Sequence, residues 1–227
     1  MHEKRRSEEL LAAQNKAAAL FAAIEERDLI RAGICESELN EAIYQLAREM
    51  YGITTYWHKR IVRAGKNTLC PYAENPPDLM LRDDEILFVD LGPVFEEWEA
   101  DFGRTFVLGN NPLKLKLRDD VGKAFAEGKR YFEKHPELSS QEYFEVIAQL
   151  ATRFGWEWGG PIAGHLIGHF PHERIEGDKV TLYIHPGSSL KMRSLDEQGR
   201  KRHWILEIHF VDRKREIGGF YEELLTV

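Results

Sequence analysis

Apolar side chains recur at helical spacing over residues 3–27, at Leu10, Leu11, Ala17, Leu20, Phe21 and Ile24, so the chain opens with an amphipathic helix. A second helix begins after Gly33-Ile34, with Cys35 at its cap, Leu39, Ile43, Leu46 and Met50 along one face, and Gly52 as its stop. The period then shortens to two. ITTYWHKRIV alternates and is β-branched, which predicts a strand around 55–63. GKNTLCPYAENPPD, residues 65–78, is a loop rich in turn formers. EILFVDLG is a buried strand ending at Asp90, and after a turn at Gly92-Pro93, DFGRTFVLG is a second strand from about Asp101 to Leu108. Asn110-Asn111-Pro112 breaks the chain before a long helix over roughly 113–134, and Ser139 with Glu142 forms a capping box that opens another helix to about Phe154. The remainder predicts strands at VTLYIHP, HWILEIHFVD and GGFYEELLTV, with SLDEQGRKR as a charged hairpin-type connection between the first two.

No linker, low-complexity tract or repeat interrupts this order. Helices, a strand pair, helices and then strands predict one α+β domain over residues 1–227, its helices packed on one face of a largely antiparallel sheet. At 227 residues, 43% of them hydrophobic, the chain can bury one sizeable core. Thirty-eight acidic residues against thirty-one basic give a formal charge of −7, which argues against nucleic acid or an anionic membrane as the main partner. The basic, Ala-rich opening is interrupted by Glu8, Glu9, Gln14, Asn15 and Lys16 and is therefore read as helix, not export signal. No stretch approaches the ~18 apolar residues of a membrane span. Cys35 and Cys70 are too sparse for a disulfide framework and fit a reducing, cytoplasmic setting, with both thiols packed as small hydrophobes.

Four features carry chemistry. Asp90 and Asp101, eleven residues apart in FVDLGPVFEEWEADFGRTF, end one strand and open the next. Antiparallel neighbours bring such positions about 5 Å apart, where two carboxylates repel unless a cation or proton lies between them. GGPIAGHLIGHFPHERI, residues 159–175, threads His165, His169 and His172 with glycines that permit close backbone approach; neutral imidazole is a common ligand of first-row metals. Glu207 lies in the apolar strand WILEIHF, where an inward carboxylate must be paired, protonated or metal-bound, although alternation alone leaves its face open. Glu222 lies in FYEELLTV, with Glu223 competing for the same role. Read singly, each has an ordinary explanation as a cap, a solvated histidine or an edge carboxylate. Together, four carboxylates and one imidazole match the charge of two divalent cations, Mn, Co, Fe or Zn, about 3.5–4 Å apart.

These stretches resemble the family of methionine aminopeptidases, Xaa-Pro aminopeptidases, prolidases and creatinases. VDLGPVFEEWEADFGRTFVLG is similar to its two-aspartate motif, GHLIGHFPHE to its G-H-G-I-G-x-x-x-H-E segment, ILEIHF to the region of its first glutamate, and FYEELLTV to its closing R-I-E-D-x-V-x-V stretch, which selects Glu222 over Glu223. The resemblance covers roughly residues 8–227, is nearest to the Xaa-Pro branch, and includes no extra amino-terminal domain. It implies a pita-bread fold, a curved antiparallel sheet covered by helices. Asp90 is then expected to chelate one metal, His165 and Glu207 the other, with Asp101 and Glu222 bridging and His172 touching substrate or the tetrahedral intermediate. It also implies a peptide or small amide substrate, and a homodimer is frequent in the prolidase branch. Two departures stand out: the family's histidine five residues after the asparagine of G-x-N falls on Tyr72, and that of the prolidase branch four residues before the ligand histidine falls on Pro161. The Pro-Gly usual after the first glutamate is Ile208-His209, so the metal ligands are complete while the substrate-facing residues differ; His58, His169 and His209 are the available replacements.

The expected activity is that of a dinuclear-metal hydrolase, an aminopeptidase or dipeptidase of Xaa-Pro type in which a water bridging the metals is the nucleophile. The alternatives are a pita-bread domain that binds without catalysis, and a creatinase-like hydrolase of a non-peptide C–N bond.

Overall fold

The computed structural model describes residues 3–171 and 182–227. Helix α1 spans Glu3–Glu26 and α2 Glu36–Tyr51. The predicted start and stop of α2 are both observed: Cys35 is its N-cap, Glu38 reaches back to the Cys35 amide at 2.7 Å, and Gly52 closes it in the left-handed conformation that glycine adopts without a Cβ penalty. Helix α3, Pro112–Lys134, begins with proline in its first turn behind an Asn111 cap, and α4, Ser140–Phe154, begins with the Ser139–Glu142 capping box read from the sequence.

Among the described residues nine strands follow the chain: β1 Ile61–Ala64, β2 Glu85–Leu91, β3 Val94–Phe95, β4 Trp98–Glu99, β5 Phe102–Leu108, β6 Glu157–Trp158, β7 Leu166–Ile167, β8 His203–Asp212 and β9 Ile217–Leu224. The main sheet runs β1-β2-β5-β9-β8-β6, with β7 also on β8, and every pairing is antiparallel. Strands β3 and β4 make a separate two-stranded hairpin.

The helices sit on one face, as expected. Leu87, Val89, Leu91 and Phe102 share a core with Leu20, Phe21 and Ile24 of α1 and Leu39 and Ile43 of α2. Leu206, Ile208 and Phe210 share a second core with Leu117 and Val121 of α3 and Ile147 and Leu150 of α4. Each fully buried side chain of this size contributes about 1.5–3 kcal/mol, so the two helix pairs hold the sheet rigidly from behind. Because side chains alternate along a strand, the residues between these positions face the other way.

Several predicted elements differ. The strand expected at 55–63 is confined to Ile61–Ala64; residues 55–57 instead dock on the turn after β2, where Trp57 donates to Gly92 O at 2.9 Å and Val94 to Thr55 O at 3.1 Å. Part of the loop at 65–78 is a short 3-10 helix, Gly65–Leu69. Of VTLYIHP, residues 180 and 181 lie outside the described residues, and the rest contributes only a bridge from Tyr183 to His165. The β3–β4 hairpin, β6 and β7 are two-residue strands, too short to produce an alternation signal. Cys35 and Cys70 are free thiols, half-buried and not packed in the core. Among the described residues no helix is long and apolar enough to cross a membrane.

Candidate metal centre

The centre grows out of a single row of cross-strand partners. Asp90 on β2 faces Gly103 on β5, Gly103 faces Glu222 on β9, and Glu222 faces Glu207 on β8. Residues in one such row project from the same face of the sheet, and here it is the face opposite the helices. Four strands thus deliver three carboxylates and one glycine side by side. The glycine is required: a Cβ at Gly103 would stand 2.6 Å from Phe220 Cε1 and 3.1 Å from Glu222 Cβ. Thr105 ties β5 to β9 next to this row, its hydroxyl donating to Phe220 O at 2.8 Å and accepting from Phe220 N at 2.6 Å.

Asp101, one residue before β5, and His165, in the loop before β7, complete the group. His165 Nε2 lies 2.9 Å from Asp101 Oδ2, 3.6 Å from Glu222 Oε1 and 3.8 Å from Glu207 Oε1. Its loop is stitched to β8 by Ile205 N donating to His165 O at 2.8 Å and Glu207 N to Ala163 O at 3.0 Å. All five residues singled out as metal ligands therefore meet in one buried place. Glu223, the competitor of Glu222, points elsewhere: it pairs with Arg104 and accepts from Tyr221 Oη at 3.2 Å. His172 lies outside the described residues.

Of the three candidate replacement histidines, only His58 joins the cluster, with Nε2 3.2 Å from Asp101 Oδ1 and 3.5 Å from Asp90 Oδ1. His169 is half-exposed beside Glu97 at 3.4 Å. His209 is buried against Phe88 and Phe220, and its Nε2–H donates to Thr68 O at 2.8 Å. The sequence flagged His58 only as one option because its neighbourhood read as strand, whereas the docking of residues 55–57 on Gly92 turns it inward. Tyr72, at the family's histidine position, sits with its ring 5.9 Å from that of His58. Asn67, whose role the sequence left unread, donates to both Glu36 oxygens and to Pro77 O, pinning the loop that carries Tyr72.

The electrostatics of the cluster demand positive charge. Burial pushes Asp90 up to about 7 and Glu207 up to about 8, and burial together with Asp101, Asp90 and Glu207 pushes Glu222 well above the carboxylate range. Burial acts the same way on Asp101, but the His58 charge and hydrogen bonds from His165 and His58 hold it well below its usual value. Burial works against the charged imidazoles, yet the adjoining carboxylates lift His58 to about 9 and His165 well above the ordinary histidine range. Asp90 Oδ1 is buried and makes no hydrogen bond among the described residues. A buried carboxylate oxygen with no donor, in a group of four acids and two imidazoles, fits a cation site. Among the described residues, two sets have ligand atoms close enough to hold an ion: His58, Asp90 and Asp101, and Asp101, His165 and Glu222.

Comparison with known proteins agrees with this architecture. The prolidase from Thermococcus sibiricus superposes with a TM-score of 0.77 at 17% identity over 99% of this chain and 56% of its own. The Xaa-Pro dipeptidase from Bacillus anthracis gives 0.78 at 20% identity over 98% and 60%. The methionine aminopeptidase from Rickettsia prowazekii gives 0.72 at 16% identity over 100% and 99%. The chain thus spans less than two thirds of the two proline-specific enzymes and nearly all of the aminopeptidase, and the shared architecture is the pita-bread fold. A sequence search of curated proteins finds no match. The description of metallopeptidase family M24 matches residues 8–194, a span that includes Asp90, Asp101 and His165. With the sheet, the carboxylate row and this match in agreement, the chain belongs to metallopeptidase family M24.

Proposed function

We propose that this chain is a dinuclear-metal-dependent peptidase in which Asp90, Asp101, His165, Glu207 and Glu222 hold two divalent cations. The observation that carries the reading is the convergence of three carboxylates, Asp101, Glu207 and Glu222, on His165 Nε2, with Asp90 Oδ1 nearby lacking any hydrogen-bond donor among the described residues. Asp101, which belongs to both sets of ligand atoms, would be shared between the two cations, and Glu222, beside both His165 and Glu207, would be the second shared carboxylate that the family resemblance implies. Two divalent cations bound there would lower the pKa of a shared water, the nucleophile, and polarise a scissile carbonyl.

The chain's own residues supply the rest. The helices behind the sheet keep the row of β2, β5, β9 and β8 from relaxing apart under its like charges, which preorganises the site. The hydrogen bond of His165 Nδ1 with Leu166 O, 2.8 Å, leaves Nε2 facing the carboxylates. The substrate class is a peptide or small amide, with Xaa-Pro peptides first to be tried because prolidase and Xaa-Pro dipeptidase structures share the fold. His172 is assigned to substrate contact by resemblance alone. Manganese, cobalt, iron and zinc all suit one imidazole among hard oxygen ligands.

The test is elemental analysis of purified protein with turnover of a dipeptide and Xaa-Pro panel, for the wild type, Asp101→Asn and His165→Ala. Two metals per chain and turnover in the wild type, both lost in the variants, are expected. A metal-loaded wild type with no turnover on the whole panel would instead favour binding without catalysis, a reading supported by Tyr72 standing where the family carries a histidine.

A further inference from the structure

We propose that His58 is a sixth protein ligand of this centre, giving the Asp90 side an imidazole of its own; the inference rests on the dinuclear reading above. The five-residue set would leave the Asp90 metal with oxygen ligands only. The structure places a second ring nitrogen beside this pair of carboxylates: His58 Nε2 is 3.2 Å from Asp101 Oδ1 and 3.5 Å from Asp90 Oδ1, and its side chain is 6% exposed. Asp101 is flanked symmetrically, with Oδ1 toward His58 and Oδ2 toward His165 at 2.9 Å.

The tautomer follows from the backbone. His58 Nδ1 lies 2.7 Å from Lys59 O, and a carbonyl can only accept, so Nδ1 carries a hydrogen. His165 uses the same device on Leu166 O at 2.8 Å. In each case the ring hydrogen-bonds the carbonyl of the residue that follows it and points Nε2 into the carboxylates. A neutral ring held this way presents a lone pair to oxygen lone pairs, a contact that is satisfied by a second proton or by a cation between them. Metal-bound histidines are oriented by this kind of carbonyl contact. The orphaned Oδ1 of Asp90, facing the same nitrogen, is an independent sign that a positive centre belongs there.

The loop is built to hold the ring in place. Trp57 Nε1 donates to Ala100 O at 3.1 Å, beside Asp101, and the indole packs between the imidazoles, with centroids 4.4 Å from His58 and 4.9 Å from His165. Gly92 leaves the necessary space: a Cβ there would lie 2.2 Å from His58 Cδ2 and 2.4 Å from Trp57 Nε1. A solvent-facing histidine would need none of these constraints.

The experiment is proton NMR of the full chain loaded with Co(II), comparing ordinary and heavy water, with cobalt content measured on the same samples. Ligation by Nε2 places each Nδ1–H near the paramagnetic ion, so it appears as a strongly shifted, exchangeable resonance. One such resonance from His165 and another that disappears in both His58→Gln and His58→Asn, with at least a tenfold loss in affinity for one of two cobalt ions, is the expected result. Persistence of the His165 resonance in the variants shows that they fold. A cobalt-loaded wild type whose shifted resonances and affinities are all unchanged by both variants overturns the assignment of His58 while leaving the five-residue centre intact. A wild type that retains no cobalt overturns both.

Discussion

Glu207 on β8 and Glu222 on β9 are direct cross-strand partners, and both carboxylates lie within 4 Å of the same His165 nitrogen. Like charges in opposing positions destabilise a sheet unless something between them compensates. Burial raises Glu207 from its ordinary 4.5 to about 8, and burial with the neighbouring carboxylates raises Glu222 well above its ordinary value, so chelator-treated protein keeps protons that the unfolded chain releases near 4.5. The stability that these two protonated carboxyls contribute is therefore full below that value and declines as pH rises through about 8. Thermal melts of chelated protein should fall across this window, and added Mn(II) or Co(II) should raise the melting temperature most at its alkaline end. A flat profile for chelated protein would refute this account of the pair.

Gly103→Ala tests the row itself. The new methyl would press on the Phe220 ring and on Glu222 Cβ, and overpacking of this kind costs about 1–3 kcal/mol. Urea unfolding should show that loss, and metal titration should show weakened affinity because Glu222 is displaced. Unchanged affinity would mean that Glu222 has no part in holding the metal.

Glu36 should matter for stability far more than its place in the first turn of a helix indicates. Its buried carboxylate accepts from Ala64 N at 2.5 Å, Asn67 Nδ2 at 2.9 Å and Leu79 N at 3.1 Å, joining α2 to β1 and to both ends of the loop that carries Tyr72. Glu36→Ala strands three donors, each costing about 1–3 kcal/mol when buried without a partner. A loss of several kcal/mol in chemical unfolding is expected, with Glu36→Gln less severe. A neutral Glu36→Ala would show that water replaces the carboxylate.

His209 predicts an acid-side effect of opposite sign to that of the glutamates. Burial holds it down at about 4 against an ordinary 6.5, and it remains neutral while donating to Thr68 O. The unfolded chain takes up that proton first, so stability is full above 6.5 and lost as pH falls toward 4. His209→Gln should flatten the slope of stability against pH in this interval, whatever its effect at neutral pH. An unaltered slope would assign the acid sensitivity to other groups.

The helices and the long strands were legible because their signals are local. Caps, the Ser139–Glu142 box, Gly52 and alternating apolar runs each act within a few residues, and those elements formed where they were read. The same is true of the five candidate ligands as a set, whose residue types and order along the chain identify the family before any geometry is known. What alternation could not decide was the face of Glu207, or Glu222 against Glu223. Register decides which of these side chains face the carboxylate row, since a strand presents one face to the helices and the other to the row running through Gly103. The inward turn of His58 had no local signal at all. It depends on residues 55–57 pairing with Gly92 and Val94 and on a glycine that leaves room for the ring, so two segments more than thirty residues apart in the chain together determine where that imidazole points.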